Sequence, residues 1–193
     1  MKTYTFHVSL PGTGRAWRKI EMRADQTLED LHFAIQDAYE WDADHLYSFF
    51  MSGKAWDTST EYCLPEGCDP WGEPLYDEEF EEPVGLELNE EQRTQLFQIL
   101  DEQFGIPPEL SKGVLADFEQ QIAAEPGDVR TTTLESLGLK PKQEFMYLFD
   151  YGDEWRFKVR VHAINENADP EAEYPRLVES VGEAPEQYPA WDE

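Results

Sequence analysis

Two histidines and a short run of carboxylates are the residues best suited to chemistry. His32 and His45 stand with Asp42 and Asp44 close to the second of them. Neutral imidazoles are common metal ligands. Two of them with an aspartate would make a carboxylate-containing site for a divalent cation. No H-E-x-x-H spacing fixes that geometry, so the alternative is two structural histidines, hydrogen-bonded where a helix hands over to a strand. Asp150-Tyr151-Gly152-Asp153 offers a second possibility, with Asp150 and Asp153 as paired carboxylates that bind a cation or act as acid and base. The same four residues also read as a tight turn, in which aspartates bond their own backbone and Gly152 supplies a positive φ. Cys63 and Cys68 are the only cysteines. With four residues between them, they would close a small disulfide loop, supply half of a structural zinc site, or remain two free thiols in a reducing compartment. No Ser-His-Asp or Cys-His arrangement, phosphate loop or EF-hand spacing is present. Neither a reaction nor a cofactor is expected from these residues.

The basic residues are more telling. Ten of the 15 Lys and Arg lie in two places: Lys2, Arg15, Arg18, Lys19 and Arg23, then Lys140, Lys142, Arg156, Lys158 and Arg160. If both stretches belong to one sheet, an open face carries a basic stripe that docks an anionic partner through Arg18, Arg156, Lys158 and Arg160. Trp71, in an irregular segment, is the type of exposed aromatic that anchors partners. The plainer alternative is a solvated face on which each base pairs with a nearby acid, at little gain per exposed pair.

Those stretches are positioned by readable elements. Tyr4, Phe6, Val8 and Leu10 alternate with polar residues, and Trp17 to Arg23 alternates again after Pro11-Gly12-Thr13-Gly14, which predicts a hairpin. Leu28, Leu31, Ile35 and Ala38 recur at helical spacing up to about Glu40, behind a Thr27/Asp30 cap. Residues 46–51 read as a short aromatic strand. Residues 52–89 are broken by Pro and Gly, and the stretch from Asp77 to Glu91 holds eight acids and no base. A helical hairpin is predicted over 90–125 and one helical turn over 133–139. Strands follow at 144–149 and 155–164, and an extended tail over 165–193. The expectation is a single α+β domain: a mixed β-sheet with helices packed on one face, a β-grasp-like core carrying an insertion over 52–130.

With 42 acids against 15 bases in 193 residues, the formal net charge is −27. A composition 40% hydrophobic and 13% aromatic is too apolar for a disordered acidic tail. The charge argues against non-specific nucleic-acid binding, which is driven by Lys and Arg displacing counterions. It argues equally against docking on an anionic membrane. The opening residues have no apolar run or small-residue cleavage site, and no segment offers the roughly 20 apolar residues of a membrane span. A cytoplasmic location is expected.

Five stretches together carry a family resemblance: Trp17-Arg18, LHFAIQ at 31–36, Tyr39-Glu40-Trp41, HLYSF at 45–49 and FDYGDEW at 149–155. In this order they resemble the family named after the third open reading frame of an agrobacterial root-inducing plasmid. Residues 182–188 look like a shortened form of that family's proline-rich ending, without its paired glycines or a cysteine. The resemblance implies a cytoplasmic α+β domain with recurrent positions at Trp17, Arg18, His32, Trp41, His45, Asp150, Gly152, Asp153 and Trp155. It implies no established activity. The function expected from the whole sequence is a non-enzymatic module that contacts a protein partner. The alternatives are a small metal-dependent enzyme using His32, His45, Asp150 and Asp153, or an acidic nucleic-acid mimic with acids spaced like a duplex backbone along one surface. The run 77–82 reads as solvated surface, or else as a calcium-attracting or partner-mimicking patch.

Overall fold

A computed structural model describes residues 1–12, 14–75, 94–95, 98–99, 107 and 126–188. Met1–Leu75 and Pro126–Glu193 form one compact unit, and Tyr76–Glu125 form a second. Of the second unit, 94–95 and 98–99 are helical. The rest of the expected helical hairpin over 90–125, and the acidic run 77–82, lie outside the described residues.

The first unit is built on a period of two. In β1 (Thr3–Ser9), Tyr4, Phe6 and Val8 are fully buried while Thr5, His7 and Ser9 are only partly so. β1 lies between two antiparallel neighbours, β2 (Trp17–Arg23) and β7 (Trp155–Asn165). The sheet continues through β6 (Glu144–Phe149), β3 (Tyr47–Phe50), β4 (Glu61–Cys63) and β5 (Gly127–Asp128) on one side, and β8 (Arg176–Val181) on the other. Its order is β5-β4-β3-β6-β7-β1-β2-β8, and β4–β5 is the parallel pair. The class is α+β, and the described residues of the first unit hold one α-helix, a short 3-10 turn at Thr58–Thr60 and an eight-stranded mixed sheet. The strand order does not single out a β-grasp.

Helix α1 (Leu28–Tyr39) covers one face. Leu28, Leu31, Ile35 and Tyr39 fall on one stripe at helical spacing and join a core with Phe6, Val8, Ile20, Met22, Phe49, Tyr147, Phe157 and Val159. Its first N–H groups are all met. Thr27 and Asp30 form a reciprocal capping box, while Leu28 N–H donates to Thr132 O (3.0 Å) and Glu29 N–H to Val129 O (3.1 Å). The expected helical turn over 133–139 is instead a run of turns that starts at a bridge from Thr133 to Thr27. Backbone partners at the start of α1 thus set the shape of 129–135. At the other end Glu40 takes a left-handed conformation (φ 59°), and Trp41 N–H closes onto Gln36 O (3.0 Å).

Three strands had no clear sequence signal. β4 and β5 come from the two ends of the 52–130 segment, and both are short, with β5 at the sheet edge and β4 beside it. β8 comes from the tail and pairs antiparallel with β2. After it, Gly182 turns the chain at φ +75°, where an added Cβ would lie 3.0 Å from the Ala16 Cα and the Arg15 carbonyl.

The packing of α1 gives a direct test. Leu31→Ala, at a fully buried position, is expected to lower the free energy of unfolding by roughly 2–5 kcal/mol. Asp37→Ala, on the exposed side of the same helix, is expected to change it by no more than about 0.5 kcal/mol. Urea denaturation of both variants checks the orientation of the helix.

Candidate functional site

The period of two that buries the core leaves the opposite face of the sheet to a different set of residues. His7 lies opposite Lys19 on β2 and opposite Arg160 on β7. Arg160 lies opposite Glu144 on β6, and Lys19 opposite Glu179 on β8. One cross-strand row therefore reads Glu144, Arg160, His7, Lys19, Glu179. The next reads Met146, Lys158, Ser9, Trp17, Val181. Strand register alone thus gathers bases from both ends of the chain.

This face carries two adjoining concavities. A groove of about 690 Å³ runs over the β6–β7 hairpin between Leu10-Pro11 and Ser52-Gly53, lined by Met146, Arg156 and Lys158, with Asp153 and Glu154 at the hairpin end. A depression of about 170 Å³ is lined by His7, Ser9, Glu144, Lys158 and Arg160. Most of the bases are partnered. Lys158 pairs with Glu144 (2.8 Å), Lys19 with Glu179 (2.7 Å) and Arg156 with Glu154. Lys19 also sits over the Trp17 ring, on which His7 stacks at 4.8 Å. Arg160 has no acid within ion-pair distance among the described residues, because Glu144, directly opposite, is turned to Lys158. Burial pushes the His7 imidazole below its ordinary pKa, and the charges of Arg160, His162 and Lys19 push the same way. Trp56 and Tyr151 pack edge to face at 5.3 Å, and the Trp56 indole N–H donates to Glu154 (3.1 Å).

Arg18, the fourth base expected on this face, has the parity of Ile20 and Met22 and lies on the core side, 5% exposed. Its guanidinium donates to Ala38 O (2.7 Å), Trp17 O, Val181 O and Gly182 O, and stacks over Tyr39. It ties the end of α1 to the end of β8. Trp71 is 58% exposed in the 69–72 turn and does not line the groove.

The histidines and aspartates separate into two environments. His32 is fully buried and stacks on Tyr47 with centroids 3.7 Å apart. Its Nδ1 accepts from the Tyr147 hydroxyl (2.6 Å), which in turn accepts from Gln36 Nε2 (2.6 Å). Burial drives the imidazole pKa down to about 3, so the ring is neutral. His32 Nε2, Gln36 Oε1 and Tyr47 OH have no hydrogen-bond partner among the described residues. His45 lies apart, donating from Nδ1 to Asp44 (2.9 Å) with Nε2 3.7 Å from Asp150. Asp150 accepts from the Gly152 and Asp153 N–H groups (2.8 and 3.3 Å). Positive φ falls on Asp150 (56°) and Glu154 (51°), and not on Gly152. Asp153 is exposed at the rim of the groove. Among the described residues no three His, Cys, Asp or Glu side chains come together as a metal site.

The tail straps this second environment. Trp41 Nε1 donates to Pro185 O (2.8 Å), Gln187 bonds both backbone groups of Asp42, and the Tyr188 hydroxyl donates to Asp44 (2.6 Å). Desolvation raises the Asp44 pKa, but the hydrogen bonds from Tyr188 and His45 outweigh it, and the net shift is downward. Sequence reasoning placed His7 on the polar side of β1 but gave it no role. Cross-strand register is what brings it to Arg160. Gln36, Tyr147, Gln187 and Tyr188 had no sequence signal beyond their neighbourhoods.

The His32 environment fixes a pH dependence. The unfolded chain takes up a proton at this ring near its ordinary pKa of 6.5, whereas the folded chain resists until about 3. This contribution is therefore fully present above 6.5 and lost as the pH falls towards 3. Wild type is expected to lose stability against a His32→Phe variant with a limiting slope of about 1.4 kcal/mol per pH unit in that window. Denaturation curves at several pH values check this; parallel profiles for the two proteins would refute it.

Comparison with known proteins supplies the rest. No curated protein matches the chain. The crystal structure of MM3350 from Methanosarcina mazei Go1, a protein of unknown function, is similar in fold with a TM-score of 0.53. The match covers 93% of this chain and 69% of that one at 22% identity. Among the described residues no helix is long and apolar enough to cross a membrane. The family model for plasmid pRiA4b ORF-3-like proteins matches residues 2–187, and the chain belongs to that family.

Proposed function

We propose that the chain is a cytoplasmic, non-enzymatic interaction module that docks an anionic segment of a protein partner on the open face of its sheet. The observation that carries this reading is the cross-strand row through Arg160, His7 and Lys19, adjoining the groove under Arg156 and Lys158. On a molecule of net charge −27 this face is locally balanced. Arg156, Lys158, Arg160, Lys19 and Arg176 stand against Asp153, Glu154, Glu144, Glu179 and Glu21. Such a face attracts an acidic segment that the rest of the surface repels. The groove is partly open to solvent, and the carboxylates at its margin, Glu144 and Glu154, are engaged by Lys158 and Arg156. It therefore offers a surface for a chain segment and no free acid–base pair among the described residues. Trp56 and Trp17 flank the bases with aromatic area of the kind enriched in binding hot spots. Trp71 serves, in this reading, as an outlying anchor.

Charge reversal tests the proposal. All three replaced side chains of the R156E/K158E/R160E variant are exposed, but the reversal sets new carboxylates opposite Glu144 and beside Glu154. A loss of about 1–2 kcal/mol is therefore expected with the fold retained, which circular dichroism checks before partners are compared. A partner retained by the immobilised wild-type chain from its native cytosol, and released by salt, should be absent from the variant. Partners retained equally by both proteins would overturn the proposal.

A further inference from the structure

The depression beside the groove is more specific than a charged surface. It is small, about 170 Å³, and four of its five lining residues carry hydrogen-bond donors: His7, Ser9, Lys158 and Arg160. They converge because β1 and β7 pair in register, with His7 opposite Arg160 and Ser9 opposite Lys158. The fifth residue, Glu144, is occupied by Lys158 at 2.8 Å. Arg160 is left with its planar, five-donor guanidinium unpaired by any acid among the described residues.

We propose that this depression binds a phosphoryl group, held by Arg160 and Lys158 with Ser9 and His7 as flanking donors. The inference rests on the docking reading and names the group that the docked segment presents. A phosphoryl group rather than a carboxylate fits because Glu144 already competes for Lys158. A single carboxylate offers Lys158 nothing that Glu144 does not. A phosphomonoester brings nearly two charges and three acceptor oxygens. It can take the Arg160 fork in bidentate fashion while still reaching Lys158 and Ser9. The Trp17 ring stacks on His7 at 4.8 Å and so supports one of the lining side chains from outside the depression. At about 0.15 M salt, charges are screened over about 8 Å. A group in the depression therefore responds to this row and not to the distant acids that give the molecule its net charge. The charged and titratable groups facing His7 are Arg160, His162 and Lys158 on β7, Lys19 on β2 and Glu144 on β6. Three of them hold its pKa down together with burial. A bound dianion would raise it.

The test uses the full chain and inorganic phosphate as the probe, read by NMR at constant ionic strength against sodium chloride. Saturable shifts are expected at His7, Ser9, Lys158 and Arg160, with an upward move of the His7 imidazole pKa and quenching of Trp17 fluorescence. Arg160→Ala should weaken phosphate binding by about tenfold or more, the loss of one charge-assisted pair. Lys54→Ala, a base outside the depression, should leave binding unchanged. A phosphoserine peptide that binds more tightly than both free phosphate and its unphosphorylated form would identify a protein-borne group as the source. Phosphate binding with no added affinity from the peptide would identify a small phosphorylated molecule instead. Shifts reproduced by chloride, or an unchanged affinity in Arg160→Ala, would overturn the phosphoryl site. That failure is separable from failure of the docking reading, which is judged by partner retention on the R156E/K158E/R160E variant.

Discussion

The structure depends on β1 being paired on both edges. A strand held between two antiparallel neighbours cannot slip by one residue without turning Tyr4, Phe6 and Val8 out of the core and His7 and Ser9 into it. Core and candidate site are therefore two consequences of one register. The same pairing that seats Val8 opposite Val159 seats His7 opposite Arg160. A bulge between Thr5 and Phe6 shifts the register near the other end of β1, and the row that carries the site lies on the regular side of it.

Buried polar groups close what the sheet leaves open. Arg18 lies among apolar neighbours, where an unpaired charge would be strongly unfavourable, and its donors meet four backbone carbonyls. Those carbonyls belong to β2, the last turn of α1 and the end of β8, so one side chain joins three elements far apart in the chain. The Gln187 amide does similar work by bonding both backbone groups of Asp42. These contacts explain how a Pro- and Glu-rich tail becomes an ordered part of the sheet. They also explain why Trp17-Arg18, Tyr39-Glu40-Trp41 and the 182–188 segment carry the family resemblance together: in the fold they touch.

Much of the fold was legible because it rests on local periodicity. The alternation in 4–10, 17–23, 144–149 and 155–164 and the helical stripe from Leu28 to Tyr39 are signals of burial. Each was answered by a strand or helix at nearly the same bounds. What escaped was structure whose cause is non-local. β8 has six exposed residues and no buried face to imprint a pattern; it exists because β2 offers an unpaired edge. β4 and β5 are too short to show alternation. Arg18 illustrates the limit most clearly. Grouping by composition put it with the surface bases, and only its parity with Ile20 and Met22 separates it from them. The site was half legible for the same reason. Arg156, Lys158 and Arg160 alternate visibly along β7, whereas His7 and Ser9 join them only through pairing across more than a hundred residues.

The distribution of charge follows from that architecture. With 42 acids and 15 bases, a random arrangement would leave most bases surrounded by acid. Pairing strands from opposite ends of the chain instead sets Arg160, His7 and Lys19 side by side, with Glu144 and Glu179 at the two ends of the row. The flanking acids matter as much as the bases. By engaging Lys158 and Lys19 they leave Arg160 as the cation without an acid among the described residues of the row. Five bases in a row on an otherwise anionic protein would attract any polyanion, and would repel one another enough to strain the sheet. A row bounded by acids avoids both effects, because Glu144 and Glu179 interrupt the run of positive charge at its two ends.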